Sequence, residues 1–166
     1  WRKRIARWRA STWRACVNNP AFGLASPDEA GRLAAVAMLR EQIASIKTMN
    51  DRVGRKVVLA AEIHCAPGFD KRDFTASPEA FRRSLGEAAE LDWDGASVLV
   101  EHCDAFVPGQ KPAKGFLRLE DEIAAITSLE GSAIGLSLNW GRSLVELRDP
   151  ARVIEHAVAA SKSGRL

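Results

Sequence analysis

Three groups of polar side chains in this chain each follow a short apolar run. The first contains Glu62 and His64, the second contains Glu101, and the third contains Asn139. Ionisable groups at the end of a buried strand are costly unless they are paired or bind a metal. Successive groups are roughly 40 residues apart, about the length of one strand–loop–helix–loop unit. The spacing therefore predicts that the three groups lie at equivalent ends of three successive strands.

These residue types suit metal-assisted proton transfer. Side chains alternate along a strand, so residues two apart face the same side, and the four residues are expected to converge. Carboxylate, imidazole and amide oxygen form a ligand set for Mg²⁺, Mn²⁺, Co²⁺ or Zn²⁺. Such a metal would polarise a sugar carbonyl or hydroxyl while a second carboxylate moves a proton. We predict Glu101 and Glu62 as catalytic residues, and Glu101, His64 and Asn139 as metal ligands.

Each of these residues also has a structural interpretation. His64 precedes a turn that it could cap, and Glu62 could pair with a cation on a neighbouring strand. His102 and Asp104 could hold the ligands in place rather than join them. Cys65 and Cys103 are interpreted as small buried fillers rather than nucleophiles, and His156, in the middle of a helical segment, as structural.

Cationic and aromatic residues near the same strand ends are candidates for substrate binding. Lys114 lies in a long loop rich in proline and glycine, the kind of loop that covers barrel sites. Arg142 directly follows a strand, where it could bind a phosphate or carboxylate, or instead pair with Glu146. Trp140 and His102 complete the predicted substrate-binding set.

Helices and strands alternate along the rest of the sequence. Ser26 to Glu29 and Ser77 to Ala80 carry helix-start residues, and Gly54 and Gly131 end helical segments. We predict strands over 56–63, 97–100 and 133–138, and helices over 26–50, 77–88, 119–129 and 149–161.

This alternation predicts an α/β fold with a parallel sheet. No glycine fingerprint of a dinucleotide or nucleotide fold follows a strand, so a (β/α)₈ TIM barrel fits better. A complete barrel needs roughly 250 residues. The chain has 166 residues and begins with Trp rather than Met. We therefore expect part of a barrel, cut from a longer protein.

Charge divides the chain into two predicted regions. Residues 1–14 form a basic Arg/Trp-rich arm without an acid, and residues 15–166 form the partial barrel domain with a mildly acidic balance. The arm has a composition that nucleic-acid or membrane surfaces attract, but it also fits a solvated helix. No apolar run is long enough for a membrane span, and no secretory signal is visible. With only three cysteines, a cytoplasmic location is expected.

Five segments together resemble an uncharacterised bacterial family, a domain of unknown function. They are AFGLAS, EIHCAPG, VEHCDAF, KGFLRLEDEIAAI and LNWGRSLVELRDP, within about residues 20 to 160. That family belongs to the xylose-isomerase-like TIM-barrel superfamily of sugar isomerases, epimerases and endonuclease IV. The resemblance implies a sugar or sugar-phosphate isomerase or epimerase with a small-molecule carbohydrate substrate, and a homo-oligomer is compatible with it.

The resemblance also implies a metal held by a Glu, an Asp, a His and a second Glu. Glu101 looks like the first of these, and Asn139 stands where the Asp is expected. The later ligands would lie beyond Leu166, so the chain alone is expected to be inactive. Two alternatives stay open: a metal-free barrel that binds or regulates a small molecule, and an endonuclease-like nucleic-acid protein, which the acidic body disfavours.

Overall fold

A computed structural model describes residues 6–9, 15, 19–68 and 76–166 of the chain. Strands and helices alternate in these residues, as the sequence predicts. Their bounds are β1 Ala6–Arg9, α1 Glu29–Val53, β2 Val58–Ile63, α2 Pro78–Ala89, β3 Ser97–His102, α3 Leu119–Thr127, β4 Gly135–Leu138, α4 Trp140–Leu147 and α5 Val153–Lys162.

The strands form one parallel sheet in the order β1-β2-β3-β4. Glu62 pairs with Leu99 in the register of β2 and β3, and Glu101 pairs with Ser137 in that of β3 and β4. The predicted parallel α/β architecture is confirmed at this level. Because the strands are parallel, their carboxyl ends all lie along the same side of the sheet, which we call its carboxyl edge.

Strand β1 lies within the segment assigned to the basic arm and was not predicted. Ala6–Arg9 pairs with β2 over Val58–Glu62, so this part of the segment belongs to the sheet rather than to a solvated helix. The strand was not predicted because sequence patterns identify strands by apolar or alternating residues, and this segment is rich in arginine. The other residues of the arm lie outside the described part of the chain.

Local sequence sets both ends of α1. The helix is capped by Asp28, whose carboxylate accepts a hydrogen bond of 2.6 Å from the backbone N–H of Gly31. Ser26, at the start of the same segment, does not cap the helix, because its hydroxyl accepts from the N–H of Asp28. Gly54 ends the helix with φ of 70°, a left-handed conformation that glycine adopts without steric cost.

The later helices include one that the sequence did not predict. α2 begins as predicted, with Ser77 as cap and Pro78 in the first turn. α4 begins directly after β4, with Asn139 as its cap, in a segment that we had interpreted only as a polar strand end. The predicted helix over 149–161 is shorter and begins at Val153. α4 was not predicted, because Asn139, which caps it, directly follows β4 and was interpreted as the polar residue at the end of that strand.

The core lies between the sheet and the helices. On β3, Val98 and Val100 are buried in the apolar core, whereas Ser97 on the opposite face is exposed. α3 contacts both β3 and β4, and the helices contact each other in the pairs α1–α2, α2–α3, α3–α5 and α4–α5. Among the described residues, no helix combines the length and apolar composition that crossing a membrane would require.

Candidate functional site

Glu101 is the centre of a buried polar cluster at the carboxyl ends of three adjacent strands. Its carboxylate is only 2% exposed. Oε2 lies 2.8 Å from Nε2 of His64 at the end of β2, and Oε1 accepts a hydrogen bond of 2.7 Å from the amide nitrogen of Asn139 after β4. The structure therefore brings together three residues that the sequence placed at successive strand ends.

Glu62 lies on β2, two residues before His64, and is 1% exposed. Its Oε1 accepts a hydrogen bond of 3.0 Å from the hydroxyl of Ser137 on β4. Ser137 and Glu62 thus connect the first and third strands of the cluster, and Ser137 was not among the predicted site residues. Its position two residues before Asn139 was the available signal, since such residues share one face of a strand.

Asn139 has two roles at once. Its amide nitrogen donates to Glu101, while its Oδ1 accepts a hydrogen bond of 3.2 Å from the backbone N–H of Arg142 and caps α4. Exchanging the amide oxygen and nitrogen would break both bonds, so both partners fix the orientation. The oxygen expected to bind a metal is therefore used by the helix. As a metal ligand, Asn139 stays a prediction that requires rotation of its side chain.

The imidazole of His64 hydrogen-bonds to Glu101 in the cluster and does not cap the turn that follows His64. Its Nε2 faces Glu101, and its ring lies 6.3 Å from the ring of Phe116, measured between centroids. Nδ1 is buried and has no hydrogen-bond partner among the described residues. A buried polar nitrogen without a partner is costly, and such groups in native proteins often mark a site for an ion or water.

Cys103 joins this cluster, although we had interpreted it as a filler. The ligand atoms of His64, Glu101 and Cys103 all lie within 4.8 Å of one another. Burial raises the pKa of the Cys103 thiol to about 12, partly offset by the positive charge of Lys114. The thiol is protonated at neutral pH without a metal, which argues against a nucleophilic role. Its spacing of two residues from Glu101 was the signal that it faces the site.

Asp104 organises the long loop after β3. Its Oδ2 accepts hydrogen bonds from the backbone N–H groups of residues 113–115, at 2.8, 2.7 and 3.3 Å. Its Oδ1 lies 3.4 Å from a guanidinium nitrogen of Arg142. Gly68 packs against the same loop, and a Cβ there would lie 1.9 Å from the carbonyl oxygen of Lys114. These contacts support the prediction that Asp104 holds the site in place.

The predicted substrate-binding cations lie around the cluster. The ammonium group of Lys114 lies 5.5 Å from the ring centre of Phe116, which in turn contacts His64. The side chain of Arg142 is 35% exposed and pairs with Asp104 rather than with Glu146, the alternative partner we had considered. Trp140 begins α4 and is half exposed. Two cationic groups and one indole are therefore close to the polar strand ends.

His102 lies on the opposite face of β3 from Glu101 and has no exposed surface. Its Nδ1 lies 2.7 Å from Glu122 and its Nε2 lies 3.2 Å from Glu146. Burial acts to lower the pKa of His102, but the two carboxylates outweigh burial and raise the pKa to about 10. The predicted contact of His102 with substrate does not fit this placement, because the helices cover the imidazolium.

Comparisons with known proteins show one family and one bacterial relative to which the chain is similar. The family model described as "Domain of unknown function (DUF4862)" matches residues 3–166. The uncharacterized protein STM3670 of Salmonella typhimurium (strain LT2) is 37% identical over 155 residues, which cover 93% of this chain and 48% of that protein. The chain thus spans about half the length of this relative. No solved structure matches the chain.

Proposed function

The chain belongs to the DUF4862 family, and we propose that its strand ends form part of the active site of a metal-dependent sugar or sugar-phosphate isomerase or epimerase. One observation carries the proposal: the buried Glu101 carboxylate is held by His64 and Asn139, from the two neighbouring strands. Ionisable groups concentrated at the carboxyl edge of a parallel sheet are typical of catalytic sites in α/β folds.

We also propose that the described sheet is part of a (β/α)₈ barrel. Its strands are adjacent in chain order, without the reversal that creates the crevice of a doubly wound sheet. In the same order, α1 contacts α2 and α2 contacts α3. A barrel needs roughly 250 residues, which agrees with a chain that spans 48% of its relative. The remaining strands would supply the rest of the site.

The donor set fits a divalent metal. His64, Glu101 and Cys103 offer an imidazole, a carboxylate and a thiol whose ligand atoms lie within 4.8 Å of one another. A sulfur ligand favours Zn²⁺ or Co²⁺ over Mg²⁺. His64 can offer one of its two ring nitrogens to an ion: Nε2 faces Glu101, whereas the buried Nδ1 has no hydrogen-bond partner among the described residues. When bound, the ion would polarise a carbonyl or hydroxyl oxygen of the sugar.

The protein's own groups would then perform the proton transfer. In this proposal Glu62 removes a proton from one sugar carbon and, in an isomerase, returns it to the adjacent carbon. In an epimerase the proton would be delivered to the opposite face of the same carbon by a second acid, for which Glu101 is the candidate. Ser137 positions the Glu62 carboxylate, and Asn139 positions that of Glu101. Lys114 and Arg142 would bind hydroxyl or phosphate groups of the substrate, because both cations lie near the strand ends.

The test uses the full-length protein with a panel of aldoses, ketoses and their phosphates. We expect conversion that requires Zn²⁺, Co²⁺ or Mn²⁺ and is lost with a chelator. Glu62→Gln should lower the rate about 10²–10⁴-fold, the contribution of a general base. Glu101→Gln should lower both the rate and the metal content. Glu120→Gln, an exposed position on α3, is the matched control and should leave both unchanged.

A metal-free binding protein is the second candidate. It is favoured by the hydrogen bonds of Glu101, which His64 and Asn139 satisfy without an ion. Sugar binding that is unaffected by a chelator, with no conversion of any sugar in the panel, would support it and contradict the isomerase. The nucleic-acid alternative depends on the basic arm, which lies mostly outside the described residues, and stays a prediction.

A further inference from the structure

A second group of metal-ligating side chains lies on the helix-covered side of β3, apart from the site described above. We propose that His102, Glu146 and His156 bind a second divalent cation, Zn²⁺ according to the donor set. One ligand atom from each of these residues lies within 4.8 Å of the others. Two imidazoles and one carboxylate are a recurrent zinc ligand set, with solvent as the fourth ligand.

His102 is oriented as metal-binding histidines usually are. Its Nδ1 lies 2.7 Å from Oε2 of Glu122, and the thiol of Cys65 donates to the other oxygen of Glu122 at 2.7 Å. Because an ionised carboxylate can only accept, Nδ1 carries the hydrogen and Nε2 faces Glu146. A carboxylate behind the imidazole fixes the tautomer and increases its basicity as a ligand.

His156 is oriented in the same way from α5. Its Nδ1 lies 3.0 Å from the hydroxyl of Ser143, which leaves Nε2 directed toward Glu146. Nε2 and Oε1 of Glu146 are 3.7 Å apart, too far for a hydrogen bond. The edge of one imidazole meets the face of the other, with centroids 5.1 Å apart. Nε2 of His156 and Oε1 of Glu146 therefore face each other without a hydrogen bond between them.

The spacing of the donors matches the size of a zinc ion. Oε2 of Glu146 lies 3.2 Å from Nε2 of His102, and Oε1 of Glu146 lies 3.7 Å from Nε2 of His156. Ligands of tetrahedral Zn²⁺, each about 2.0–2.2 Å from the metal, lie about 3.3 Å from one another. The ion could therefore enter with small movements of the three side chains.

Charge and access support the same conclusion. Two carboxylates, Glu122 and Glu146, face one imidazolium, and these groups are almost completely buried. A divalent ion bound at this point would balance the charge of both carboxylates. Glu146 and His156 are 8% and 7% exposed, so this side of the cluster is not completely closed from solvent, which would supply the fourth ligand.

The test measures Zn²⁺ binding to purified, chelator-treated protein by calorimetry. Glu101→Gln removes a ligand of the first site, so this variant isolates the second. We expect it to bind one equivalent of Zn²⁺ and to give, with Co²⁺, the intense visible absorption of a four-coordinate site. Adding His156→Gln should weaken binding at least 100-fold. Adding Glu155→Gln, an exposed neighbour on α5, is the matched control and should not change it.

Ser143→Ala provides an independent measurement that removes no ligand. Loss of the bond behind His156 should weaken Zn²⁺ binding about 10–100-fold, the usual effect of an outer-shell partner. The proposal is overturned if the Glu101→Gln protein binds no Zn²⁺, or if neither His156→Gln nor Ser143→Ala alters its affinity. These outcomes leave the isomerase proposal intact, because they concern the other face of the sheet.

Discussion

Asn139 is the residue whose position matters most for the metal proposal. Its side chain both caps α4 and donates to Glu101. An aspartate would cap a helix equally well, but it would bring a second carboxylate against Glu101. Two carboxylates in contact repel each other unless a proton or a metal lies between them.

We predict that Asn139→Asp lowers stability in the absence of metal and increases metal affinity. Urea denaturation with and without Zn²⁺ measures the first effect, and competition with a chelator measures the second. Asn139→Ser is the matched control, because it keeps a capping hydroxyl and adds no charge. Equal metal affinity of the wild-type and Asn139→Asp proteins would show that this position does not face the ion.

At the scale of elements, a buried arginine joins the first two helices. Arg32 on α1 is 3% exposed, and its guanidinium pairs with Glu29 one turn earlier and with Glu87 on α2. It also donates to Ser84, whose hydroxyl donates to the carbonyl of Leu24. The charge of Arg32 is acceptable in this position because fixed acceptors surround it.

The ion pair predicts a particular acid sensitivity. Hydrogen bonding to Arg32 lowers the pKa of Glu29 from 4.5 to about 2. Because the folded-state pKa is the lower one, the stabilisation is complete above pH 4.5 and is lost as the pH falls toward 2. We therefore expect Glu29→Gln to lose stability at neutral pH and to change less than the wild type between pH 4.5 and 2.

Denaturation at several pH values tests this expectation. Glu41→Gln, an exposed glutamate on the same helix, is the control and should retain the wild-type dependence on pH. A Glu29→Gln protein whose stability falls with acid as steeply as that of the wild type would contradict the prediction.

In the whole molecule, β3 carries polar residues on both of its faces, and each face contributes to a different cluster of side chains. Glu101 faces the site with His64 and Asn139, whereas the adjacent His102 faces the helices with Glu122 and Glu146. Successive residues of a strand point to opposite faces, so one pair of neighbours serves two clusters. We infer that the first cluster affects activity more than stability, and that the second affects stability more than activity.

Two substitutions test this separation in metal-free protein. His102→Ala leaves two buried carboxylates without their cation and should cost about 3–5 kcal/mol of folding free energy. Glu101→Gln keeps the shape of the side chain and an oxygen that can accept from Asn139, and its amide nitrogen can donate to Nε2 of His64 in the other tautomer, so it should cost less than about 1.5 kcal/mol. Urea denaturation measures both values. The reverse order of destabilisation would mean that Glu101 is chiefly structural.

The sequence predicted the α/β alternation, and strand-end spacing predicted that His64, Glu101 and Asn139 would meet. These features follow from local sequence patterns. Apolar runs and capping residues define the strands and helices, and parallel connections bring the carboxyl ends of the strands together. The strand Ala6–Arg9 and the helix Trp140–Leu147 were missed. Ala6–Arg9 forms a strand because it pairs with β2, and its own residues do not show the apolar or alternating pattern of a strand. The helix cap, Asn139, directly follows β4, so no separate helix-start segment precedes the helix.

Sequence alone therefore determined which residue types gather at the carboxyl edge of the sheet. Their partners depend on packing between elements that are distant in sequence: Arg142 pairs with Asp104, Cys103 joins the Glu101 cluster, and His102 is buried beneath helices that bring Glu122, Glu146 and His156. Strand alternation predicts which face a side chain occupies. What covers that face depends on helices distant in sequence, and their packing is set by the whole core.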